Sequence, residues 1–377
     1  MKKMISLLLI CILLLLFHID STNGELYDKS IFIDDFDICK LPNKQWKLHN
    51  LSETKTSKII QLTGEDSLNK TQSRFGVWGT DLGVFTVFDN VTYMFCGDTF
   101  STEQCEGWRS NVLFTIDDQD PSDGLSISNA ISDKRGKASE ILFSIKQEGI
   151  EKTVIPTNMF AANDKLYCFF MSVSKWGAPG EWTCRYSGLA VSNNKGKSWK
   201  KLNNIRWSGN SGFIQIANAL VGNTVYIWGI PSGRFGGLYL MKVPEAMIED
   251  FSAYSYYCGI DTAGRPIWIS ENDGIKNAEC LLKGPIGEIS VIYNEYLGNF
   301  IITYLNENKN AIVLREMITP WGEFSNEWVL AKSIDYPSLY GAFMCPVYVE
   351  KNGKSVYFTM SQYFPIYNIM WMRFDLP

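Results

Sequence analysis

Two aspartates have types and spacing that could do chemistry. Asp81 lies in WGTDLG (78–83) and Asp98 in GDTF (97–100), flanking the β-rich runs VFTVF (84–88) and VTYMF (91–95). Asp89-Asn90 between those runs is a hairpin turn signal. With a two-residue loop, opposite positions sum to 179, and Asp81 faces Asp98 at the open end of the hairpin. Like charges placed opposite one another destabilise a sheet, and two close carboxylates push one pKa upward. Glycosidic-bond cleavage uses such a pair, with one carboxyl kept protonated as general acid and the other ionised as base or nucleophile. The alternative is that both aspartates are turn and cap residues held by backbone N–H groups.

Other polar and aromatic residues fall in loops of similar character. GWRSN (107–111) follows at once, so Arg109 and Asn111 are candidates for binding sugar hydroxyls or for holding a carboxylate ionised. PTN (156–158), PSGR (231–234), GEIS (287–290), TPWGEFS (319–325) and YPSLYG (336–341) supply Asn158, Arg234, Glu288, Trp321 and Tyr340. Glu288 begins a strand much as Asp81 does and is the best third carboxylate. Trp78, Trp321 and Tyr340 are candidate stacking platforms, with packing between structural units as the alternative for each.

Composition removes rival chemistries. The chain has two histidines, His18 and His49, and the first lies in an N-terminal apolar leader, so Ser-His-Asp catalysis and multi-histidine metal sites have no material. No metal and no cofactor is expected. The net charge is −5 without a basic stripe, which argues against nucleic acid and acidic membranes as partners. Aromatics make up 14%, mostly in strand-like runs, which suits a β protein that stacks on a sugar ring.

The elements that must position these residues repeat along the chain. Five times a turn residue precedes a β-rich run centred on an aromatic: DNVTYMF (Tyr93), NDKLYCF (Tyr167), GNTVYIW (Tyr226), LGNFIIT (Phe300) and NGKSVYF (Tyr357). The intervals are 74, 59, 74 and 57 residues, a period typical of propellers and other arrays. Helical signal is nearly absent. An all-β, five-bladed β-propeller is therefore expected, its loops converging on one face around the axis. SNNKGKSW (192–199) has the spacing of an Asp-box, a hairpin turn recurrent in sialidase-like propellers, and is read as structural.

At the N-terminus, Met1-Lys2-Lys3 and the apolar run Ile5 to Phe17 form a basic n-region and a 13-residue h-region. A bilayer needs about 20 residues, so the segment reads as a signal peptide cleaved near Gly24, with no membrane span left afterwards. The expected organisation is a signal peptide at 1–24, a loop-rich lead-in at 25–73 packed on the propeller, and the propeller at 74–377. The product is expected to be secreted, and its oligomeric state is open. Eight cysteines remain, and Cys96 with Cys105 and Cys168 with Cys184 are the preferred disulfides, buried free thiols being the alternative. Asn50, Asn69 and Asn90 head glycosylation sequons, the last at the closed tip of the first hairpin.

The blocks RFGVWGTDLG, GDTF, WRSN, PTN, GIPSGRFGGLYLMKV, GEISVIYNEYLGNFIITY, TPWGEFS, YPSLYGAF and VYFTMSQYFPIYNIMWMRF occur in that order. Together they resemble the DUF4185 family over roughly residues 70–375. Some bacterial members of that family are endo-D-arabinanases, grouped as glycoside hydrolase family 183. The resemblance implies a five-bladed propeller and a catalytic aspartate pair, which falls on Asp81 and Asp98. One departure is Met344-Cys345-Pro346, where members often carry His. The expected function is a secreted glycoside hydrolase acting on a furanoside-containing, arabinan-like polysaccharide; the competing reading is a non-catalytic carbohydrate-binding propeller.

Overall fold

The computed structural model describes residues 37–377, so the expected signal segment lies outside the described residues. Five antiparallel sheets follow one another along the chain and form the blades of a propeller. Blade 1 runs outward through Gly79–Phe88, Val91–Phe100, Val112–Ile116 and Asn129–Ala130, and blade 2 through Thr153–Ala162, Lys165–Trp176, Trp182–Ser192 and Lys200–Ser208. Blade 3 begins at Gln215–Val221 and Thr224–Ile230, blade 4 at Gly287–Asn294 and Asn299–Asn306, and blade 5 at Leu339–Glu350 and Ser355–Gln362. The five innermost strands pack in a closed ring, that of blade 5 touching that of blade 1.

The repeated aromatics mark one place in every blade. Each innermost strand turns tightly into the second strand, with positive φ at Asp89 and Asn90, Asn163 and Asp164, Gly222, Gly298, and Asn352 and Gly353. The residue that follows, Tyr93, Tyr167, Tyr226, Phe300 or Tyr357, is at most 2% exposed. Phe300 fills the wedge between blades 3 and 4 against Trp228 at 5.8 Å, and Tyr357 stacks on Trp371 of its own blade at 5.7 Å. Burying each stabilises the fold by about 1.5–3 kcal/mol, so the period records core packing.

The ring is closed by the lead-in. Lys55–Gln61 pairs antiparallel with Asn368–Asp375, Lys55 opposite Asp375, and becomes the outermost strand of blade 5. The lead-in thus contributes one strand to the sheet. Ahead of it, Lys44 Nζ donates to Asn299 Oδ1 and the Ile318 carbonyl, 2.6 Å each, and His49 contacts the fully buried Glu316 through its backbone N–H and Nδ1, 2.7 Å each. In the Asp-box, Gly196 has φ +77°, Asn194 Oδ1 accepts from the Ser198 N–H, and Trp199 packs on Phe95 at 5.6 Å.

Two expectations need correction. All eight cysteines of the described residues are free thiols. Cys168 is paired in its ladder with Ala190, six positions from Cys184, which corresponds to about 20 Å of strand; a bridge needs Cα atoms within about 7 Å. Cys96 is buried between Leu82 and Val112, while Cys105 is exposed in the turn beyond Phe100. Asn69 cannot carry a glycan in this fold: it is 2% exposed, its amide donates to the Leu62 and Leu125 carbonyls, and its Oδ1 accepts from the Ile127 N–H. Asn50 and Asn90 are exposed.

Candidate active site

The first hairpin keeps the expected register at both ends, from Gly79 opposite Phe100 to Phe88 opposite Val91, and breaks it in between. Thr80 pairs with Thr99 and Leu82 with Cys96, so Asp81 stands against two residues, Gly97 and Asp98. Gly83 is then the extra residue on the opposite strand before Val84 meets Phe95. Two compensating bulges re-aim side chains here, as bulges near sites commonly do. They explain the glycines: Gly83 takes φ +84°, and a Cβ at Gly97 would collide with Asp81 Oδ1.

The innermost strands all start at one mouth of the ring. Asp81, Thr157, Gln215, Glu288 and Tyr340, near the starts of the five innermost strands, line a cavity of about 440 Å³ together with Asp98, Arg234 and Tyr367. Trp176, Trp182 and residues 177–181, from the long hairpin of blade 2, form part of its wall, as does Tyr363 of blade 5.

The two aspartates differ in their partners. Asp98 Oδ1 accepts from Trp108 Nε1 and from Thr153 Oγ1, 2.7 Å each. Asp81 Oδ2 accepts from the Tyr340 hydroxyl at 2.7 Å, but its Oδ1 is buried and meets no donor. The Tyr367 hydroxyl donates to the Asp98 backbone carbonyl at 2.9 Å. Burial, followed by the charge of Asp98, pushes the Asp81 pKa up to about 7, against the pull of the Tyr340 and Tyr367 hydroxyls. Burial pushes Asp98 up to about 6, opposed by Thr153 and Trp108.

Across the cavity, Arg234 Nε and one terminal nitrogen hold Glu288 Oε1 at 2.9 and 2.8 Å, and the other reaches Glu307 at 3.3 Å. The Arg234 backbone N–H donates to the Gly180 carbonyl, and Gln215 Nε2 to that of Gly233, so the 231–234 loop is pinned over the mouth. The guanidinium lies 4.9 Å from the centre of the Tyr340 ring. Burial raises the Glu288 carboxyl above its ordinary range despite the opposing pull of Arg234.

Of the residues singled out from the sequence, Asp81, Asp98, Arg234, Glu288 and Tyr340 come together; five do not. The Arg109 guanidinium ties the carbonyls of Gly76 and Ala138, 2.7 and 2.9 Å, and serves as a loop brace. Asn111 is fully buried, its amide donating to the Leu142 and Val154 carbonyls. Trp321 is core, 7% exposed and edge-on to Trp268. Trp78 lies outside the cavity lining. Asn158 bonds Asn218 at the opposite mouth of the ring, in a second cavity of about 410 Å³. Met344 and Pro346, in the block that departs from the family pattern, line that second cavity too.

Sequence reasoning missed Tyr367, Trp108, Thr153, Trp176, Trp182, Gln215, Glu307 and Tyr363. Trp108 adjoins Arg109 in a block already noticed, and Tyr363 and Tyr367 fall in the closing block VYFTMSQYFPIYNIMWMRF; the others carried no local signal. Among the described residues no group of three or more His, Cys, Asp or Glu could hold a metal ion.

A sequence model of the DUF4185 family, described as a domain of unknown function, matches residues 66–373. The chain belongs to the DUF4185 family. The match spans all five blades but omits the outermost strand of blade 5, Lys55–Gln61. No curated protein matches this DUF4185 chain. Among solved structures it is similar to a protein from Bacteroides ovatus described as a candidate hydrolase, at 10% identity and TM-score 0.59, covering 94% of this chain and 97% of that one. It is also similar to an exo-β-1,3-galactanase from Phanerochaete chrysosporium solved with β-1,3-galactotriose, at 9% identity and TM-score 0.52, covering 85% of this chain and 64% of that one. Likeness at such identity shows the propeller fold that the DUF4185 chain shares with them.

Proposed function

We propose that the chain is a secreted glycoside hydrolase that cleaves a furanoside-containing, arabinan-like polysaccharide, with Asp81 as general acid and Asp98 as its ionised partner. The observation that carries the reading is the unequal pair: Asp98 has two donors on one oxygen, while Asp81 keeps a buried oxygen without any. Asp98 therefore ionises first, and its charge helps Asp81 keep its proton. Asp81 delivers that proton to the departing glycosidic oxygen, and Asp98 activates water or attacks the anomeric carbon. The negative charge around the site stabilises the positive charge that develops on the sugar ring.

Support for a sugar substrate comes from the aromatic lining, Trp176, Trp182, Tyr340, Tyr363 and Tyr367, and by analogy from the shared fold of the galactanase. The furanoside class rests on the DUF4185 resemblance.

The test is hydrolysis of a panel of arabinans and other plant, fungal and bacterial glycans by wild type, Asp81→Asn and Asp98→Asn. Wild type should release sugar from a member, and each variant should lose about 10²–10⁴-fold in rate. Binding without release by the wild type would instead make the chain a carbohydrate-binding propeller.

A further inference from the structure

We propose that Glu288, held by Arg234, is a specificity-determining group that accepts a hydrogen bond from one free hydroxyl of a neutral sugar in the cavity. The inference rests on the glycosidase reading and adds what that sugar must look like. Glu288 is the second residue of Gly287–Asn294 and is 7% exposed. Arg234 occupies Oε1 twice, while Oε2 is buried at the cavity wall with no donor. A buried acceptor left unmade is costly, and a fold keeps one where a ligand completes it.

The surroundings decide what that ligand is. Arg234 is bound to Glu288 and Glu307 together, so it brings no unspent positive charge to an incoming anion. The cavity lining carries Asp81, Asp98, Glu181 and Glu288 against the single cation Arg234. Uronic and sialic acids are repelled by such a wall, and a neutral sugar hydroxyl is the donor that fits Oε2. Glu288 also differs from the reacting pair in its partner, a guanidinium that places two donors on one oxygen. Arg234 stacks on Tyr340, which donates to Asp81, so the hydroxyl contact lies one ring away from the acid. A sugar acylated or methylated at that hydroxyl loses the donor and overfills the wall.

The experiment compares wild type with Glu288→Gln on the best oligosaccharide of the panel and on its singly O-methylated forms, and records thermal midpoints. Glu288→Gln should raise KM roughly 10- to 100-fold, with kcat changed less than about tenfold. Methylation at one hydroxyl should penalise wild type by a similar factor and the variant far less. An unchanged KM in Glu288→Gln, or equal penalties from every methyl group in both proteins, overturns the inference. So does a collapse of kcat with loss of one limb of the pH profile, which would make Glu288 a reacting group. A lowered midpoint with KM unchanged assigns Glu288 to structure alone. A wild type that neither binds nor cleaves any panel member sinks the glycosidase reading and this inference with it.

Discussion

The Tyr340 hydroxyl donates to Asp81 Oδ2 across 259 residues of sequence, at 2.7 Å, while Oδ1 of the same carboxyl is buried without a donor. One oxygen is anchored and the other is left for the substrate. The relationship sets the expected pH behaviour. kcat/KM should rise as Asp98 ionises near about 6 and fall as Asp81 ionises near about 7, a narrow bell whose two constants belong to the coupled pair. Tyr340→Phe removes a donor that favours ionised Asp81, so the alkaline limb should move to higher pH. A limb that stays put or moves down removes Asp81 as the acid.

Trp108 should act on the other limb. Its Nε1 donates to Asp98 Oδ1, and a donor to the charged form lowers a carboxyl's pKa. Trp108→Phe should therefore move the acid limb upward and lower kcat/KM at pH 6 by roughly tenfold, leaving the alkaline limb in place. pH–rate profiles on a neutral oligosaccharide decide it.

Burial of the acid has a stability consequence with a definite sign. The Asp81 pKa is raised on folding, so stability is full below the unfolded value near 4 and is lost as pH climbs through about 7. Asp81→Asn should be more stable than wild type at pH 8, by about 2 to 4 kcal/mol, and the two should converge near pH 4. Urea unfolding at both pH values measures this. A variant less stable than wild type at pH 8 would contradict the direction of the shift.

The cavity rim predicts where a polymer rests. Trp176 of blade 2 is 41% exposed and Tyr363 of blade 5 is 53% exposed, and those blades flank blade 1, which carries the aspartates. Trp176→Ala and Tyr363→Ala should each raise KM for polysaccharide by about 5- to 10-fold with kcat little changed. Equal effects on mono- and polysaccharide substrates would place neither ring on the path of the chain.

Thiol and glycan chemistry test the corrected assignments. With no disulfide among the described residues, dithiothreitol should leave the thermal midpoint unchanged. A thiol reagent should modify Cys39, Cys105 and Cys280 quickly in the native protein and the buried Cys96, Cys168 and Cys345 only after unfolding. Peptide mapping of material from a glycosylating host should find sugar at Asn50 and Asn90 and none at Asn69. A glycan on Asn69 would require the segment around it to open.

What could be read from the sequence was local. Asp89-Asn90 between β-rich runs announces the hairpin, and the aromatic after each turn recurs because every blade needs a ring in the same wedge. Five blades and the neighbourhood of Asp81 and Asp98 follow from these alone. The bulges at Asp81 and Gly83 did not, because bulges depend on how two strands settle against their neighbours, and a simple register predicted direct opposition. The choice between two similar arginines was equally hidden. Arg109 and Arg234 both sit in glycine-containing loops, but one braces carbonyls of its own blade while the other is pinned over the mouth by Gln215 and residue 180.

By itself, then, the sequence determined the strand repeat, the carboxylate pair and the poverty of histidine, properties that local runs, their recurrence and bare composition carry. The tertiary structure alone decided which groups meet that pair. Thr153 comes from blade 2, Arg234 and Glu288 from blades 3 and 4, and Tyr340 from blade 5. A closed ring brings the starts of five distant strands to one mouth, and partners from other blades join those of blade 1 in setting each carboxyl's burial and hydrogen bonds.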